Sequence, residues 1–325
     1  MKLFNLLIIL VLLLAITGCS GSAGRQPLAM KDFRVGDRGL TLSFVPDDRP
    51  IEVLENDTFN LDFDIKNEGA YDVTDLYVAF GYETDYLNLK ERKFESLPVT
   101  SNTLTAALPE GKLQGRSPRL TLGGNAFYES ILQAKYITLS KFQITTVNAI
   151  ACYNYATIAE TSVCIQPKNT MLGLQDVCEA KDQVLTPQGS PLAVTGVKVL
   201  NNVMIGETGA NMIRSQFKIQ IDHVGTGNVI KSQTAAKVCS SGALRDEKVW
   251  NYFHAKVFLG EKELKCRYLT YGNGYLARLR DGGVEIICED ANPIASGGYT
   301  RPLRVELAYD YTQSISRQIS IERYS

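Results

Sequence analysis

Phe59-Asn60-Leu61-Asp62-Phe63-Asp64-Ile65-Lys66 sets apolar residues at alternate positions and polar ones in the gaps. That period of two marks a strand with one face in a core and the other in water. The run breaks at Asn67-Glu68-Gly69-Ala70, a turn sequence, and resumes at Asp75-Leu76-Tyr77-Val78-Ala79-Phe80. The plan returns downstream in Gln216-Phe217-Lys218-Ile219-Gln220-Ile221-Asp222-His223, followed by Gly225-Thr226-Gly227-Asn228 and then Val229-Ile230. The two passages read as equivalent strands in two copies of one architecture. Further alternation over Arg304–Tyr309 and Ile315–Ile321, with little helical periodicity beyond the first residues, predicts an all-β chain.

The chain has 325 residues, 45% apolar and 21% charged, enough for about two domains of ordinary size. Lys plus Arg total 34 against 35 Asp plus Glu, a net charge of −1. Nucleic-acid binding through counterion release needs a basic surplus or stripe, and the sequence has neither. Two histidines, His223 and His254, leave little for acid–base or metal chemistry.

Residues 1–18 read as an export signal: Lys2, an apolar run from Leu6 to Ile16, then Thr17 and Gly18. As a helix that run spans about 17 Å, too short for a hydrocarbon core of about 30 Å. Ile16-Thr17-Gly18-Cys19 resembles the lipobox of prokaryotic lipoproteins. The resemblance implies that Cys19 is lipidated and becomes the new N-terminus, with membrane lipid as its partner. Residues 19–33, beginning Cys19-Ser20-Gly21-Ser22-Ala23-Gly24, then form a flexible tether.

Six cysteines remain: Cys152, Cys164, Cys178, Cys239, Cys266 and Cys288. An even number in an exported chain without any Cys-x-x-Cys pair suggests disulfides and no metal knuckle. Ile150–Tyr155 and Thr161–Ile165 read as a hairpin bending near Thr157–Glu160, which pairs Cys152 with Cys164. Cys266 and Cys288 each lie on the apolar side of an alternating strand and pair with one another. Cys178 with Cys239 is the remaining bond.

The strand–polar residue–Gly–strand plan, after an opening strand such as Ile51-Glu52-Val53-Leu54, resembles CARDB and related immunoglobulin-like modules of prokaryotic, especially archaeal, surface proteins. Phe63, Ile65, Asn67, Gly69, Val73 and Val78 carry it in the first copy, and Phe217, Ile219, Ile221, Gly225 and Val229 in the second, where His223 stands in place of Asn. The resemblance implies two tandem immunoglobulin-like β-sandwiches, over residues 34–168 and 190–325, joined by a crossover at 169–189. It brings no catalytic residue and no cofactor.

No Gly-x-Ser-x-Gly, His-Glu-x-x-His or phosphate-cradling loop occurs in the chain, and no enzymatic role is predicted. Gly272-Asn273-Gly274-Tyr275 is a hairpin turn, His223 and His254 are packed or surface residues, and Asp62 with Asp64 form a solvated face. Tyrosines gather at Tyr71, Tyr77, Tyr82 and Tyr86 and again around Tyr268, and the tip carrying Tyr271, Asn273 and Tyr275 is a candidate contact loop. Asn56-Asp57-Thr58 is a glycosylation sequon.

The expectation is a lipid-anchored structural or adhesion protein on the outer face of the cell membrane. Its partners are other envelope or surface proteins, a second copy of itself among them, and not nucleic acid. The alternative, an exported carbohydrate- or peptide-binding subunit of a transporter or secretion machine, calls for an aromatic-lined pocket where the modules meet.

Overall fold

In the computed structural model, residues 33–324 are described except 46–50, 95–96, 99–103, 106–110, 119, 121, 139, 167–177, 206–208, 210, 242–247, 268–275, 291–293 and 296–297. The first strands are β1 (Leu40–Val45), β2 (Ile51–Leu54), β3 (Thr58–Asn60), β4 (Asp62–Asn67), β5 (Leu76–Tyr82), β6 (Leu87–Phe94), β7 (Leu97–Pro98), β8 (Leu104–Thr105) and β9 (Asn125–Ala134). There follow β10 (Phe142–Ile165), β11 (Gln183–Val184), β12 (Leu192–Ile205), β13 (Asn211–His223), β14 (Asn228–Ile230) and the helix α1 (Ala235–Ser241). The chain ends with β15 (Tyr252–Leu259), β16 (Lys262–Glu263), β17 (Lys265–Arg267), β18 (Leu276–Arg278), β19 (Gly283–Glu289), β20 (Ile294–Ala295) and β21 (Tyr299–Glu322). The all-β class is as the alternation predicts.

The organising element is the antiparallel ribbon of β10 and β21, each 24 residues long and paired without a register break from Phe142↔Glu322 to Ile165↔Tyr299. Along β10 the odd-numbered residues Val147, Ala149, Ala151, Tyr153, Tyr155, Thr157, Ala159, Val163 and Ile165 are all buried. On β21 the same face carries Leu303, Val305, Leu307, Tyr309, Tyr311, Ile319 and Ile321. Strict alternation therefore gives the ribbon one continuous apolar face.

Two further sheets lie on that face. The sheet β1-β4-β9-β6-β7 covers one end, with Arg317 of the ribbon over the Phe44 ring and Phe63 of β4 stacked against Phe80 of β5. The sheet β11-β12-β13-β19-β17 covers the other end, where Asn201 of β12 donates to the carbonyls of Cys164 and Gln166. The result is sandwich-like at both ends. Tandem separation at 169–189 was the expectation, but Phe33–Ser325 forms one compact unit and its middle sheet draws strands from both sides of that crossover.

The hairpin expected at Thr157–Glu160 is absent, because these residues lie inside β10, paired to Leu307–Arg304. Ala156–Ser162 contains no Gly, Pro or Asn to turn the chain, and β21 supplies a partner throughout. This overturns the Cys152–Cys164 pairing. Both sulfurs sit on one face of one strand, and twelve residues of extended chain hold them about 40 Å apart. Cys152 is bonded instead to Cys239, Cys164 to Cys178, and Cys266 to Cys288 as predicted. The Cys178–Cys239 expectation fails with the first.

On the ribbon's other face, α1 lays Ala235, Val238 and Cys239 over Ile150, Tyr77 and Ala79, with Cys152 beneath. Seven residues of helix are too few to stand alone in water. The disulfide and the buried carboxylate of Asp310, which accepts from the amides of Thr234 and Ala235 at 2.8 Å each, hold it in place.

Candidate functional site

At the ribbon's waist Tyr153 pairs with Tyr311, and Tyr155 with Tyr309, all on the core face. Their ring centroids lie 5.6–6.4 Å apart in tilted or edge-on contacts. Such spacings suit aromatic pairs, and each buried hydroxyl must find a partner. Tyr153 accepts from the Leu40 amide at 3.0 Å, and Tyr309 accepts from the Leu192 amide at 3.4 Å. Tyr155 reaches Asn67 Oδ1 at 3.4 Å, and Tyr311 accepts from Gly227 N–H at 2.7 Å and meets His223 Nε2 at 2.9 Å. Burial pushes the phenols of Tyr153 and Tyr309 far above their ordinary range, so they stay neutral donors and acceptors.

These contacts repeat between the halves, at one interval of sequence for the waist residues and the turns beside them and at a slightly shorter one for the residues of β1 and β12 that they meet. Tyr153 and Tyr155 correspond to Tyr309 and Tyr311, Asn67 to His223, and Gly69 to Gly225. At Gly69 an added Cβ would overlap the Tyr155 hydroxyl, and at Gly225 it would meet the Tyr311 hydroxyl at 2.6 Å. Asn154, whose Oδ1 accepts from the amides of Thr74 and Asp75, corresponds to Asp310, which accepts from Thr234 and Ala235. Glu68 N–H donates to Gly39 C=O just as Val224 N–H donates to Pro191 C=O. Two copies of one plan are therefore joined back to back through the tyrosine waist.

The Asn67 singled out by sequence is fully buried, its Nδ2 donating to the carbonyls of Tyr71 and Leu113 and its Oδ1 accepting from Gly69 N–H. His223 takes the matching place, and burial lowers its pKa. His254 lies on β15 with its pKa lowered by burial and by the nearby Lys231. Tyr71 packs edge-on against Tyr155 and bonds the backbone of Ile158. The four tyrosines of the waist escaped the sequence reading, although Tyr153-x-Tyr155 and Tyr309-x-Tyr311 were visible as two same-face pairs.

A groove of about 880 Å³ opens beside the waist, lined by Asp37, Arg38, Asp64, Lys66 and Glu68 together with Tyr311. Its charged walls are unlike an aromatic-lined ligand pocket. A second hollow of about 560 Å³ gathers Asp72, Asp75 and Asp310. Each carboxylate there is engaged: Asp72 by Lys112 and the Gly115 amide, Asp75 by the Thr74 hydroxyl, Asp310 by α1. Burial raises the pKa of Asp310, though its backbone donors pull the other way.

Asn56 is exposed at a positive φ of 67° beside β3, its Oδ1 accepting from Gln133 Nε2 at 3.0 Å. Asp62 accepts from the Ser130 amide and burial raises its pKa, while Asp64 faces the groove. Among the described residues no group of His, Cys, Asp or Glu is placed to hold a metal ion, and no helix is long and apolar enough to cross a membrane. Cys19, Tyr271, Asn273 and Tyr275 lie outside the described residues.

No protein family matches the chain, and no curated protein resembles it in sequence. Among solved structures, AvmM, which catalyses macrocyclization in alchivemycin A biosynthesis, is 13% identical with a TM-score of 0.24, over 38% of this chain and 77% of its own. The secreted serine protease VesC from Vibrio cholerae is 9% identical with a TM-score of 0.22, over 88% of this chain and 52% of its own. Likenesses this slight carry no argument about fold or activity.

Proposed function

We propose that the protein is a lipid-anchored surface component that works by contact, as a structural or adhesive element outside the membrane. The observation that carries this reading is the stapled ribbon. Two 24-residue strands are clamped by a sheet at each end, and three disulfides tie strand to helix, strand to crossover and strand to strand. Disulfides of this kind belong to chains matured in an oxidising compartment. Such a body is stiff and presents loops and sheet edges, the parts of a β protein that meet partners. Tethered through Cys19, it would be held at high local concentration over the membrane.

The charged groove supports contact over capture of an apolar or sugar ligand, since stacking surfaces for a sugar ring are missing from its walls apart from Tyr311. Mass spectrometry of the mature chain, with protease treatment of intact cells, tests the reading. The expected result is an N-terminal, acylated Cys19 on a chain that external protease removes. An unmodified Cys19 still joined to Gly18, in a chain protected inside intact cells, would refute it.

A further inference from the structure

The correspondence between the halves fails at one strand edge. In the second half β12 follows the waist, and its Leu192 amide is spent on Tyr309. Two residues on, the outward N–H and C=O of Val194 are both satisfied by the side-chain amide of Gln188, at 3.0 and 2.9 Å. β11 then pairs with Val197 and Gly196. That edge is closed.

The first half repeats the opening and omits the closure. Leu40 N–H goes to the Tyr153 hydroxyl, which places the main-chain groups of Leu40, Leu42 and Phe44 on the side of β1 away from β4. Leu42 stands where Val194 stands, but Gly36 occupies the position of Gln188 and has no side chain to offer. Among the described residues no strand pairs with this edge of β1. The 880 Å³ groove runs along it from Gly39 to Ser43.

Open edges are ordinarily guarded by charge, proline, bulges or brevity. At the other ends of the described sheets they are: β16 is Lys262-Glu263, β17 carries Lys265 and Arg267, β7 contains Pro98, and β8 and β11 have two residues each. β1, Leu40-Thr41-Leu42-Ser43-Phe44-Val45, has six residues, no charge, no proline and no bulge. What Gln188 supplies to Val194 is one amide group, and an extended peptide main chain offers the same donor and acceptor to Leu42.

We infer that this partner is β1 of a second copy, paired antiparallel about a two-fold axis through Leu42. The strand is its own complement in that register. Leu42 exchanges both hydrogen bonds with Leu42 of the second copy, and Phe44 N–H donates to Leu40 C=O across the axis. The core-directed Leu40, Leu42 and Phe44 stay on one face. Thr41 meets Ser43 of the second copy on the other, a hydroxyl pair with no opposed charges. The pairing makes one continuous sheet through both molecules and deepens the proposed contact role, on which it rests for location alone.

Full-length Thr41→Cys and Ser43→Cys chains, expressed together in one cell and examined on non-reducing gels, test the register. Thr41 faces Ser43 and neither faces itself, so a disulfide-linked dimer is expected from the mixture and little from either variant alone. Ser43→Lys in an otherwise unaltered chain should shift detergent-solubilised protein from dimer to monomer in sedimentation, with its near-UV circular dichroism unchanged because Ser43 is exposed and its cross-strand neighbour is Asp64. No linked dimer from the mixture, in chains whose three native disulfides are intact, overturns the pairing. So does a parent chain that stays monomeric up to about 1 mM, the weak end of specific association. Linkage to a different polypeptide would give the edge to a foreign strand and overturn it equally. An exported, acylated chain that does not link leaves the surface reading standing, whereas a chain retained inside the cell defeats that reading whatever the gel shows.

Discussion

Asn67 ends β4 in the first half and His223 ends β13 in the second, and each turns a polar group toward a buried tyrosine of the ribbon. The first contact is long, 3.4 Å, and Asn67 has three other backbone partners. The second is short, 2.9 Å, and the Tyr311 hydroxyl also accepts from Gly227. Across the ribbon, Asn154 caps a turn with a neutral amide, while the buried Asp310 caps α1 with a carboxylate. The first half thus relies on redundant neutral bonds and leaves its edge strand open. The second half concentrates its polar load on few groups, closes its edge, and lends α1 to cover the first half's strand.

The largest test of that loan is the bond between the halves. Cys152–Cys239 closes 87 residues and Cys164–Cys178 closes 14. If the bonds act by restricting the unfolded chain, they contribute about 4.6 and about 3.0 kcal/mol respectively. Replacing both cysteines of the first pair by serine should lower the denaturation midpoint more than replacing both of the second, and should expose the α1 amides to hydrogen exchange. Equal losses would mean that α1 is held by Asp310 and packing, with the sulfurs incidental.

The alternation that fixes β4 and β13 is visible because each has one wet face, so polar residues mark every second position. The ribbon is harder to read. At its middle Cys152 and Tyr153, and again Asp310, Tyr311 and Thr312, are buried on adjacent positions because α1 and the loop before it cover the second face. Local pattern then says only that the segment is buried, and the cysteines invited a hairpin where the chain runs straight. Cys266 and Cys288 were paired correctly because both lie in short strands directly opposed in register. Cys178 and Cys239 depend on where a crossover and a seven-residue helix come to rest, and only three-dimensional packing determines that. The equivalence of the two passages around Asn67 and His223 was legible from their matching turns. The tyrosines that those turns serve lie far along the chain and were not.

A smaller effect separates the two polar contacts themselves. Tyr311→Phe leaves the Gly227 amide and His223 without their buried partner, a loss of about 2 kcal/mol at the usual cost of such groups. Tyr155→Phe removes only 3.4 Å contacts, one accepted from Tyr71 N–H and the others donated toward Asn67 Oδ1 and Gly189 C=O, and should cost about 1 kcal/mol or less. Urea titration of both variants, with unchanged m-values, checks the order. If Tyr155→Phe is the more damaging, Asn67 is less well supported by its other bonds than their geometry indicates.

The smallest effect is a pH dependence that one half has and the other lacks. Burial lowers the His223 pKa in the folded protein, while the unfolded chain keeps a value near 6.5. Above that pH both states hold a neutral ring and the contact with Tyr311 is intact. As the pH falls below about 6.5 the unfolded chain takes up the proton first, so stability declines and levels off only beneath the folded pKa. His254, also lowered by burial, acts in the same direction. His223→Asn imports the neutral group of the first half, so its thermal midpoint should fall less steeply on acidification than that of the parent, with His254 left to supply the residual slope. A slope unchanged by that replacement would move the acid sensitivity from the waist to His254 or to the carboxylates.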